Sequence, residues 1–482
     1  MLLRSTFALA VLAAFSIGAS IAACTTETIV HNTAPPPAPI ATEEPDAAEP
    51  PPPEVKPDAA PPPKPKPALT FPEVQSRGGP TIKTPKIIPI VFPGDPLTAD
   101  IASFTAKIGA SQYWKTLAAE YGVGPITTGA TITVTEAAPT TITSPQIEAW
   151  LVQKLSGATP AFGAPDANTL YAIYYPAGTT ITDDGSGLGQ SCKGYGGYHF
   201  EVTVTGGVGG GKQVGFAVMP RCAGIDELTV TASHEYYEWA TDPFPKSKPA
   251  FDRLDDEHWA WQATMIGELG DLCTFLDREY LRPAEIGFQV QRLWSNKASL
   301  AGKYPCAPAK TTPYLQAITT AEDDVVVPDS RDPTATINTK AVRIKPGLSK
   351  TVDVLVYSDQ APGSALVPLR AISYNDFYGA TGKPPSGFTF TLDKSHAKVG
   401  ETVKVTINAP TKAGFDLMIM IAYTGPSSAH YWPVLLVNDD AAAAQAGHPA
   451  MTAEMLPKKI SEGRSRSVRP FTTLGLAPAQ RP

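Results

Sequence analysis

The sequence predicts two folded parts in series, an α+β domain over residues 72–309 and an all-β sandwich over residues 314–439. Apolar strand patterns alternate with helical spacing in the first part, whereas the second part contains about seven short strand patterns and no helix pattern. Segments rich in Pro or Ala flank both parts. The folded stretch of about 365 residues is long enough for two domains of ordinary size.

The first 24 residues predict an export signal. Arg4 supplies a positive start, Phe7 to Ile21 form an apolar run, and the tetrapeptide that ends at Cys24 resembles a bacterial lipobox. The alternative is an ordinary cleaved signal in which Cys24 has no role. We expect an exported chain that a lipid on Cys24 anchors to the cell envelope. Thr25, rather than Asp, is typical of sorting to the outer membrane.

Residues 25–71 and 440–482 predict disordered segments. The first is mostly Pro and Ala with scattered charges, a composition that favours extended polyproline II and predicts a linker between the membrane and the folded body. The second is Ala-rich and then basic, and we expect it to be poorly ordered. The net charge of −7 and the pI of about 5.6 argue against a nucleic-acid partner.

The elements of the α+β domain follow from its periodicity. Strands are predicted at residues 87–92, 131–135, 170–175, 199–205 and 214–220, and helices at residues 98–121 and 144–155, the latter capped by Ser144. A third helix is predicted to begin near Asp226 as N-cap and to end at Pro243. A mixed sheet followed by a helix that bears His-Glu is the broad plan of the zincin type of zinc peptidase, so we expect a zincin-like domain by analogy.

The third helix contains the most informative motif, His234-Glu235-Tyr236-Tyr237-Glu238. Residues four apart lie on one face of a helix, so His234 and Glu238 are predicted to hold one metal ion together. Glu235 lies beside the first ligand, where a general base takes a proton from a water on the metal. The alternative is a solvated acidic face that includes a histidine by coincidence.

A metal site needs a third ligand, and the segment Gly267-Glu268-Leu269-Gly270-Asp271-Leu272-Cys273 is the best source. Its glycines allow a tight turn that points short carboxylates inward. We assign Glu268 and Asp271 jointly, with one as the ligand and the other orienting His234. One imidazole and two carboxylates predict zinc, with calcium or manganese as alternatives.

Two further residues are accessory candidates. His199 is a possible third ligand or a group that polarises a substrate carbonyl, and a structural histidine at a strand start is the alternative. Asp242 lies two turns beyond His234 and reaches the site if the helix ends there.

Four cysteines remain in the mature chain once Cys24 carries lipid. An even number in an exported chain predicts two disulfides, and sequence proximity favours Cys192–Cys222 and Cys273–Cys306 among the three pairings.

Other motifs give weaker evidence for a functional site than the His234–Glu238 motif does. Gly185 to Gly189 lacks the Lys-Ser/Thr pair of a phosphate loop. The acidic run from Asp252 to His258 is either a calcium loop or, more commonly for such runs, a wet surface loop. Ser233 lies next to His234 without the glycines of a nucleophile elbow, which excludes that kind of hydrolase.

Five stretches of the first domain together resemble exported bacterial metallopeptidases related to the plant phosphate-induced (Exordium) proteins. The resemblance covers roughly residues 85–310, and it implies a metal site with peptidase chemistry inferred from the motif. The helix commonly reads His-Glu-Leu-Ala-Glu in that family, whereas this chain has Tyr236 and Tyr237 in the middle. The stretches are Ser111–Trp114 with Tyr121–Gly124, Gly194–His199, Ala232–Glu235 with Thr241–Pro243, Gly267–Cys273 and Val290–Asn296.

The second domain is predicted to be immunoglobulin-like. Its strands are expected at residues 342–344, 351–357, 369–374, 388–392, 402–407, 417–423 and 432–437, separated by Gly and Pro turns. Sugar binding through Tyr374, Phe377, Tyr378 or Tyr431 is one interpretation of its aromatic residues, and core packing is the default.

These features together predict a surface lipoprotein with a metal-dependent peptidase-like domain that acts on exposed proteins or peptides. The rival hypothesis is a non-catalytic envelope protein in which the metal only clamps the fold. A carbohydrate-active enzyme is the third class, and no aromatic subsite pattern supports it. The sequence predicts no oligomeric state.

Overall fold

A computed structural model describes residues 69–182, 189–265, 267–276, 280–329, 335–361, 363–374, 387–425 and 428–439. This part of the chain is mostly β-sheet with few helices. The predicted signal with Cys24, most of the linker and the tail lie outside the described residues. Within the described ranges, no helix is both long enough and apolar enough to cross a membrane.

The first part alternates strands and helices, as its periodicity predicts. Its elements are β1 (Val74–Gln75), β2 (Lys86–Val91), α1 (Thr98–Ala110), α2 (Gln112–Glu120), β3 (Thr127–Thr128), β4 (Ile132–Thr133), β5 (Thr141–Thr143), α3 (Ser144–Leu155), β6 (Thr169–Tyr175), β7 (Thr180–Thr182), β8 (Tyr198–Thr203), β9 (Gln213–Pro220), α4 (Ile225–Thr241), β10 (Arg253–Leu254), α5 (Trp259–Met265), α6 (Asp271–Leu276), β11 (Leu293–Trp294), α7 (Asn296–Leu300) and β12 (Cys306–Ala307).

A mixed sheet organises this part in the order β3-β2-β6-β9-β8, and β4 also pairs with β2. Strands β2, β6 and β9 are parallel, whereas the edge strand β8 runs antiparallel to β9. The next element after β9 is α4, the helix that carries the motif. The antiparallel edge strand and the motif helix contact each other.

The two faces of the sheet are covered by different helices, because side chains alternate along each strand. Ile87, Leu170 and Ala217 belong to one hydrophobic core with α1, α2 and α4. Their neighbours Ile88 and Tyr171 belong to a second core with α3. Every strand residue from Thr169 to Tyr175 is therefore buried, as expected for a sheet covered on both faces.

Three helix boundaries differ from the predictions, in two cases because of side-chain capping. The predicted helix at 98–121 is two helices, since Ser111 leaves the helical conformation and its hydroxyl accepts from Trp114 N. Thr143, not Ser144, caps α3, through a reciprocal capping box with Gln146. Gly224, not Asp226, is the N-cap of α4.

The second part contains only strands among its named elements in the described ranges. They form a four-stranded sheet, β13-β16-β20-β18, and a six-stranded sheet, β14-β15-β22-β21-β17-β19, with contacts from β13 across to β21 and β22. The strands are β13 (Leu315–Thr319), β14 (Asp323–Pro328), β15 (Thr336–Ile344), β16 (Ser349–Ser358), β17 (Leu366–Ser373), β18 (Thr389–Leu392), β19 (His396–Lys398), β20 (Thr402–Asn408), β21 (Gly414–Tyr423) and β22 (Ala429–Asn438).

All seven predicted strands of this part are present, and three more were not predicted. Strands β13, β14 and β19 are short or carry polar residues, so the sequence pattern does not distinguish them from loops. Two packed sheets agree with a β-rich second part, and the immunoglobulin-like topology stays a prediction.

The predicted domain boundary at residues 309–314 falls between β12 and β13, and residues on both sides of it belong to one compact unit. Trp261 of α5 packs against Trp432 of β22, with ring centroids 5.1 Å apart and the rings perpendicular. Phe71, at the end of the predicted linker, packs against Trp432 and Tyr357.

Candidate metal centre

Helix α4 places the two predicted ligands on one face. Nε2 of His234 lies 3.0 Å from Oε2 of Glu238, one turn further along the helix, and both side chains are fully buried. The bulky residues between them point elsewhere. The hydroxyl of Tyr236 contacts Thr105 of α1 at 3.1 Å, and the hydroxyl of Tyr237 donates to the Leu117 carbonyl of α2. Tyr236 and Tyr237 therefore pack in the core, away from the face that carries His234 and Glu238.

The turn before α6 distinguishes between the two acidic candidates. Oδ1 of Asp271 lies 3.7 Å from His234 Nε2, and His234, Glu238 and Asp271 offer three ligand atoms within 4.8 Å of one another. Glu268 is not in this set, and its Oε2 lies 4.0 Å from His199 Nε2. The backbone N–H groups of Gly270 and Asp271 both donate to Glu238 Oε1, at 3.0 Å each. Asp271 therefore joins the predicted ligands, and this turn orients Glu238.

Gly270 has a steric reason to be glycine. A Cβ atom at this position would lie 2.6 Å from His234 Nδ1 and 2.7 Å from Glu238 Oε1. Real Cβ atoms do not approach so closely, and both neighbours are held by hydrogen bonds. The turn packs directly on the ligands because residue 270 has no side chain.

Gln291 was not assigned a role from the sequence, and it fixes the orientation of His234. Its Nε2 donates to the Gly270 carbonyl at 2.6 Å, so its Oε1 is an acceptor and faces His234 Nδ1 at 3.1 Å. Nδ1 of His234 must therefore carry the proton in the neutral ring, which leaves the Nε2 lone pair for a metal. The only sequence signal was the stretch Val290–Asn296, which resembles the Exordium-related family.

His199 lies in the edge strand β8 and belongs to a second set of three donors. Its Nδ1 lies 3.5 Å from Glu235 Oε2 and 3.7 Å from Glu238 Oε2. His199, Glu235 and Glu238 again offer ligand atoms within 4.8 Å of one another. Gly197 allows this approach, because a Cβ atom there would lie 3.0 Å from Glu235 Oε1. His199 therefore lies with the candidate ligands, and it also lies at the start of a strand, as the structural alternative expects.

Asp242 is near the site but contributes in another way. Its carbonyl oxygen lies 3.2 Å from His199 Nε2, and its Oδ1 accepts from the Ala250 backbone N–H at 2.8 Å. Asp242 is in neither set of three donors. Asp242 therefore orients His199 through its carbonyl oxygen, and its side chain holds the backbone at Ala250 after α4.

The cluster concentrates negative charge in the protein interior. Glu235, Glu238, Glu268 and Asp271 are each at most 1% exposed. Burial by itself lowers the pKa of His234, but Glu238 and Glu235 outweigh it and raise that pKa to about 10. Burial likewise lowers the pKa of His199, and contact with Glu235 and Glu238 reverses this, so the net shift is upward. Buried carboxylates are stabilised by nearby positive charge, and either protonated histidines or metal ions would supply it.

The donor atoms fit a metal ion. Two ligands of one tetrahedral zinc lie roughly 3.3 Å apart, since Zn–N and Zn–O bonds are about 2.0–2.1 Å. The separations of 3.0 Å and 3.7 Å from His234 Nε2 bracket that value. Among the described residues, neither His234 Nε2 nor His199 Nδ1 makes a hydrogen bond. Each imidazole thus has one nitrogen that faces carboxylate oxygens but makes no hydrogen bond to them. Metal-binding histidines are arranged in this way around an ion.

Both predicted disulfides are confirmed. Cys192 is bonded to Cys222, and Cys273 to Cys306. The second bond holds α6, the helix that Asp271 begins, against β12. Disulfides are typical of exported proteins.

Several residues of the acidic run from Asp252 to His258 form ion pairs within the fold. Asp252 pairs with Arg77 at 3.2 Å, and Asp255 accepts from His258 Nδ1 at 2.8 Å. Arg253 pairs with Asp256 and with Asp329. No group of three metal donors occurs here among the described residues. These contacts favour a structural role over a calcium loop.

Two other predicted features are only partly described. The Gly185–Gly189 segment lies outside the described residues except for Gly189, as do Phe377 and Tyr378 of the aromatic set. Tyr374 and Tyr431 are partly buried and pack against the hydrophobic core of the second part. Their surroundings agree with the default of core packing.

Comparison with known proteins adds little. No known protein family and no curated protein matches this chain. Among solved structures, domains 4 and 5 of the S-layer protein SbsC match with 15% identity and a TM-score of 0.16, over 26% of this chain and 55% of that one. A chimeric titin Z1Z2 matches with 14% identity and a TM-score of 0.14, over 25% of this chain and 97% of that one.

A third match is a nucleoside hydrolase-related hypothetical protein from Saccharophagus degradans, with 11% identity and a TM-score of 0.17. It covers 37% of this chain and 43% of that one. This chain therefore spans about half, or less, of the S-layer fragment and of the S. degradans protein. These TM-scores are too low to carry an argument about fold or function, so the site itself must carry it.

Proposed function

We propose that this chain is an exported, metal-dependent peptidase with a zincin-like domain. The observation that carries the proposal is the position of Glu235 beside a complete set of three donors. Oε1 of Glu235 lies 4.0 Å from His234 Nε2, yet Glu235 is not one of the donors His234, Glu238 and Asp271. Three protein ligands with a further carboxylate next to them are typical of catalytic metal sites.

The order of elements also supports a zincin-like domain. A mixed sheet precedes the helix that bears His-Glu, and its antiparallel edge strand β8 contacts that helix. The resemblance of residues 85–310 to Exordium-related metallopeptidases points to the same activity. We infer an exposed protein or peptide as the substrate.

The donor set favours zinc, with manganese as the alternative. Calcium prefers six to eight oxygen ligands, whereas this set includes the imidazole of His234. A bound divalent ion would act as a Lewis acid that polarises a substrate carbonyl and acidifies a water molecule. Glu235 would serve as the proton acceptor beside such an ion, and Gln291 and the 267–271 turn hold His234 and Glu238 in place.

The test combines metal content with peptide cleavage, measured on the full chain. We expect zinc to co-purify with the wild type and to be much reduced in His234→Ala. Glu235→Gln is expected to keep His234-dependent zinc and to lose cleavage of a peptide library by at least about 100-fold, as loss of a general base does. His258→Ala, which removes a buried histidine outside the site, is the matched control. A wild type without metal would sink the proposal.

The second candidate is a non-catalytic envelope protein in which the ion clamps the fold. The burial of every donor favours it, because His199, His234, Glu235 and Asp271 are all 0% exposed. An ion there would tie α4, the turn before α6 and strand β8 together. Zinc bound by the wild type, without cleavage of any library peptide and with a large loss of thermal stability on chelation, would favour this candidate.

We propose further that lipid on Cys24 anchors the chain to the outer membrane and that residues 25–71 act as the spacer. The lipobox-like sequence and the two disulfides of the folded part support export. Cys24→Ser should move the protein from the membrane fraction to the soluble fraction and abolish labelling with a fatty-acid analogue. Unchanged labelling would contradict the anchor.

A further inference from the structure

We propose that the cluster is a two-ion centre, in which a second divalent ion is held by His199, Glu235 and Glu238, with Glu238 shared between the ions. The inference rests on the proposed function for the first ion, and it adds a site that a single-ion peptidase does not require. Two observations carry it: the donors form two overlapping sets, and the imidazole of His199 points into the second set.

The two sets have the same construction. Each contains one imidazole nitrogen and two carboxylates within 4.8 Å of one another, and Glu238 belongs to both. Oε2 of Glu238 lies 3.0 Å from His234 Nε2 and 3.7 Å from His199 Nδ1, so one oxygen faces both histidines. A carboxylate shared in this way is how a protein holds two ions close together, about 3.5–4 Å apart in two-metal sites.

The second imidazole is oriented as a ligand. Nε2 of His199 lies 3.2 Å from the Asp242 carbonyl oxygen, which can only accept a hydrogen bond, so the proton of a neutral ring sits on Nε2. Nδ1 then offers its lone pair toward Glu235 and Glu238, and it makes no hydrogen bond among the described residues. Backbone carbonyls orient many metal-binding histidines in this manner.

The composition of the cluster also favours bound cations. Glu235, Glu238, Glu268 and Asp271 are buried around two histidines. Carboxylates that are buried close together are unfavourable unless positive charge lies among them, and two divalent ions supply more of it than one.

Glu235 keeps its function in this arrangement. Its Oε2 faces His199 at 3.5 Å and its Oε1 faces His234 at 4.0 Å. With Oε2 given to the second ion, Oε1 would still face the first donor set and could serve as the proton acceptor.

The experiment is metal stoichiometry on the full chain, stripped with a chelator and dialysed against zinc alone. We expect about two zinc ions per wild-type chain and about one in His199→Ala, with His234-dependent zinc retained. His430→Ala, a buried histidine of the second part, is the matched control and should keep two. One zinc in the wild type that His199→Ala also keeps would overturn the second ion and leave the proposed function intact. No zinc in the wild type would overturn both.

A second measurement needs no variant, in case His199→Ala does not fold. The stripped wild type is loaded with two equivalents of Mn²⁺ alone and studied by electron paramagnetic resonance. Two ions that share Glu238 should give the broadened spectrum of a spin-coupled pair. The six-line spectrum of an isolated protein-bound Mn²⁺, with the second equivalent free in solution, would contradict the two-ion centre.

Discussion

At the scale of residues, the cluster contains orienting groups as well as candidate ligands. His234 is aimed by Gln291, His199 by the Asp242 carbonyl, and Glu238 by two backbone N–H groups of the turn before α6. Each of these contacts fixes one donor atom toward the cluster. Orientation of this kind raises metal affinity, because the ligand does not have to be ordered when the ion binds.

Gln291→Ala tests this role of orientation. The change removes the acceptor for His234 Nδ1 and the donor to the Gly270 carbonyl. We expect zinc affinity to fall about 10- to 100-fold, as for other partners of ligating histidines. The measurement is a competition titration against a chelator. Gln316→Ala, a buried glutamine that hydrogen-bonds Tyr314 in the second part, should leave the affinity unchanged. If the wild type, Gln291→Ala and Gln316→Ala bind zinc with equal affinity, Gln291 has no orienting role.

At the scale of elements, the donors come from three separate pieces of the chain. His234, Glu235 and Glu238 lie on α4, Asp271 begins α6, and His199 lies in β8. Helix α6 has six residues and is too short to be stable alone, so its position depends on its surroundings. The Cys273–Cys306 disulfide is the covalent part of those surroundings.

The double variant Cys273→Ser/Cys306→Ser should therefore affect both stability and metal binding. Loss of a cross-link over 33 residues is expected to lower the free energy of unfolding by roughly 3–4 kcal/mol in the chain-entropy treatment. Zinc affinity of the folded protein should also fall, because Asp271 is less well positioned. The measurements are denaturant unfolding and the chelator titration.

The other disulfide offers a matched comparison. Cys192→Ser/Cys222→Ser removes a cross-link over 30 residues, so the loss of unfolding free energy should be similar. This bond does not hold the turn with Asp271, so the binding of the His234-dependent ion should change less. The same loss of affinity in both double variants would mean that α6 is held by packing and not by Cys273.

At the scale of the whole molecule, the predicted domains share a packed interface. Trp432 of β22 contacts Trp261 of α5, His258 and Phe71, and it is 4% exposed. The apolar core continues across this contact from the α+β part into the second part. We therefore expect the two parts to unfold together.

Calorimetry of the wild type and of Trp432→Ala tests this coupling. We expect one cooperative transition in the wild type, because neither part keeps its interface when the other unfolds. Trp432→Ala should destabilise the protein by about 3–5 kcal/mol and separate the transition into two. Trp114→Ala truncates a fully buried tryptophan of α2. It should lower the transition temperature and leave a single transition. Two transitions in the wild type would instead show independent domains.

Much of this protein was determined by local sequence. Short apolar runs predicted β2, β6 and β9, and helical patterns predicted α3 and α4, because burial leaves a direct record in the residue pattern. The i, i+4 spacing likewise predicted that His234 and Glu238 lie together, since both are on one helix. Sequence proximity was enough for both disulfides.

Only the tertiary structure decided the rest of the site. Asp271 rather than Glu268 lies with His234, His199 meets Glu235, and Gln291 orients His234 across 57 residues of chain. These contacts depend on how separate elements pack against each other. The residue pattern within one segment does not show which other segment it packs against. The sequence by itself determined which residues share a helix or a strand. The tertiary structure decided which carboxylates surround each imidazole, because charges far apart in the chain become neighbours only when the sheet, α4 and α6 are buried together.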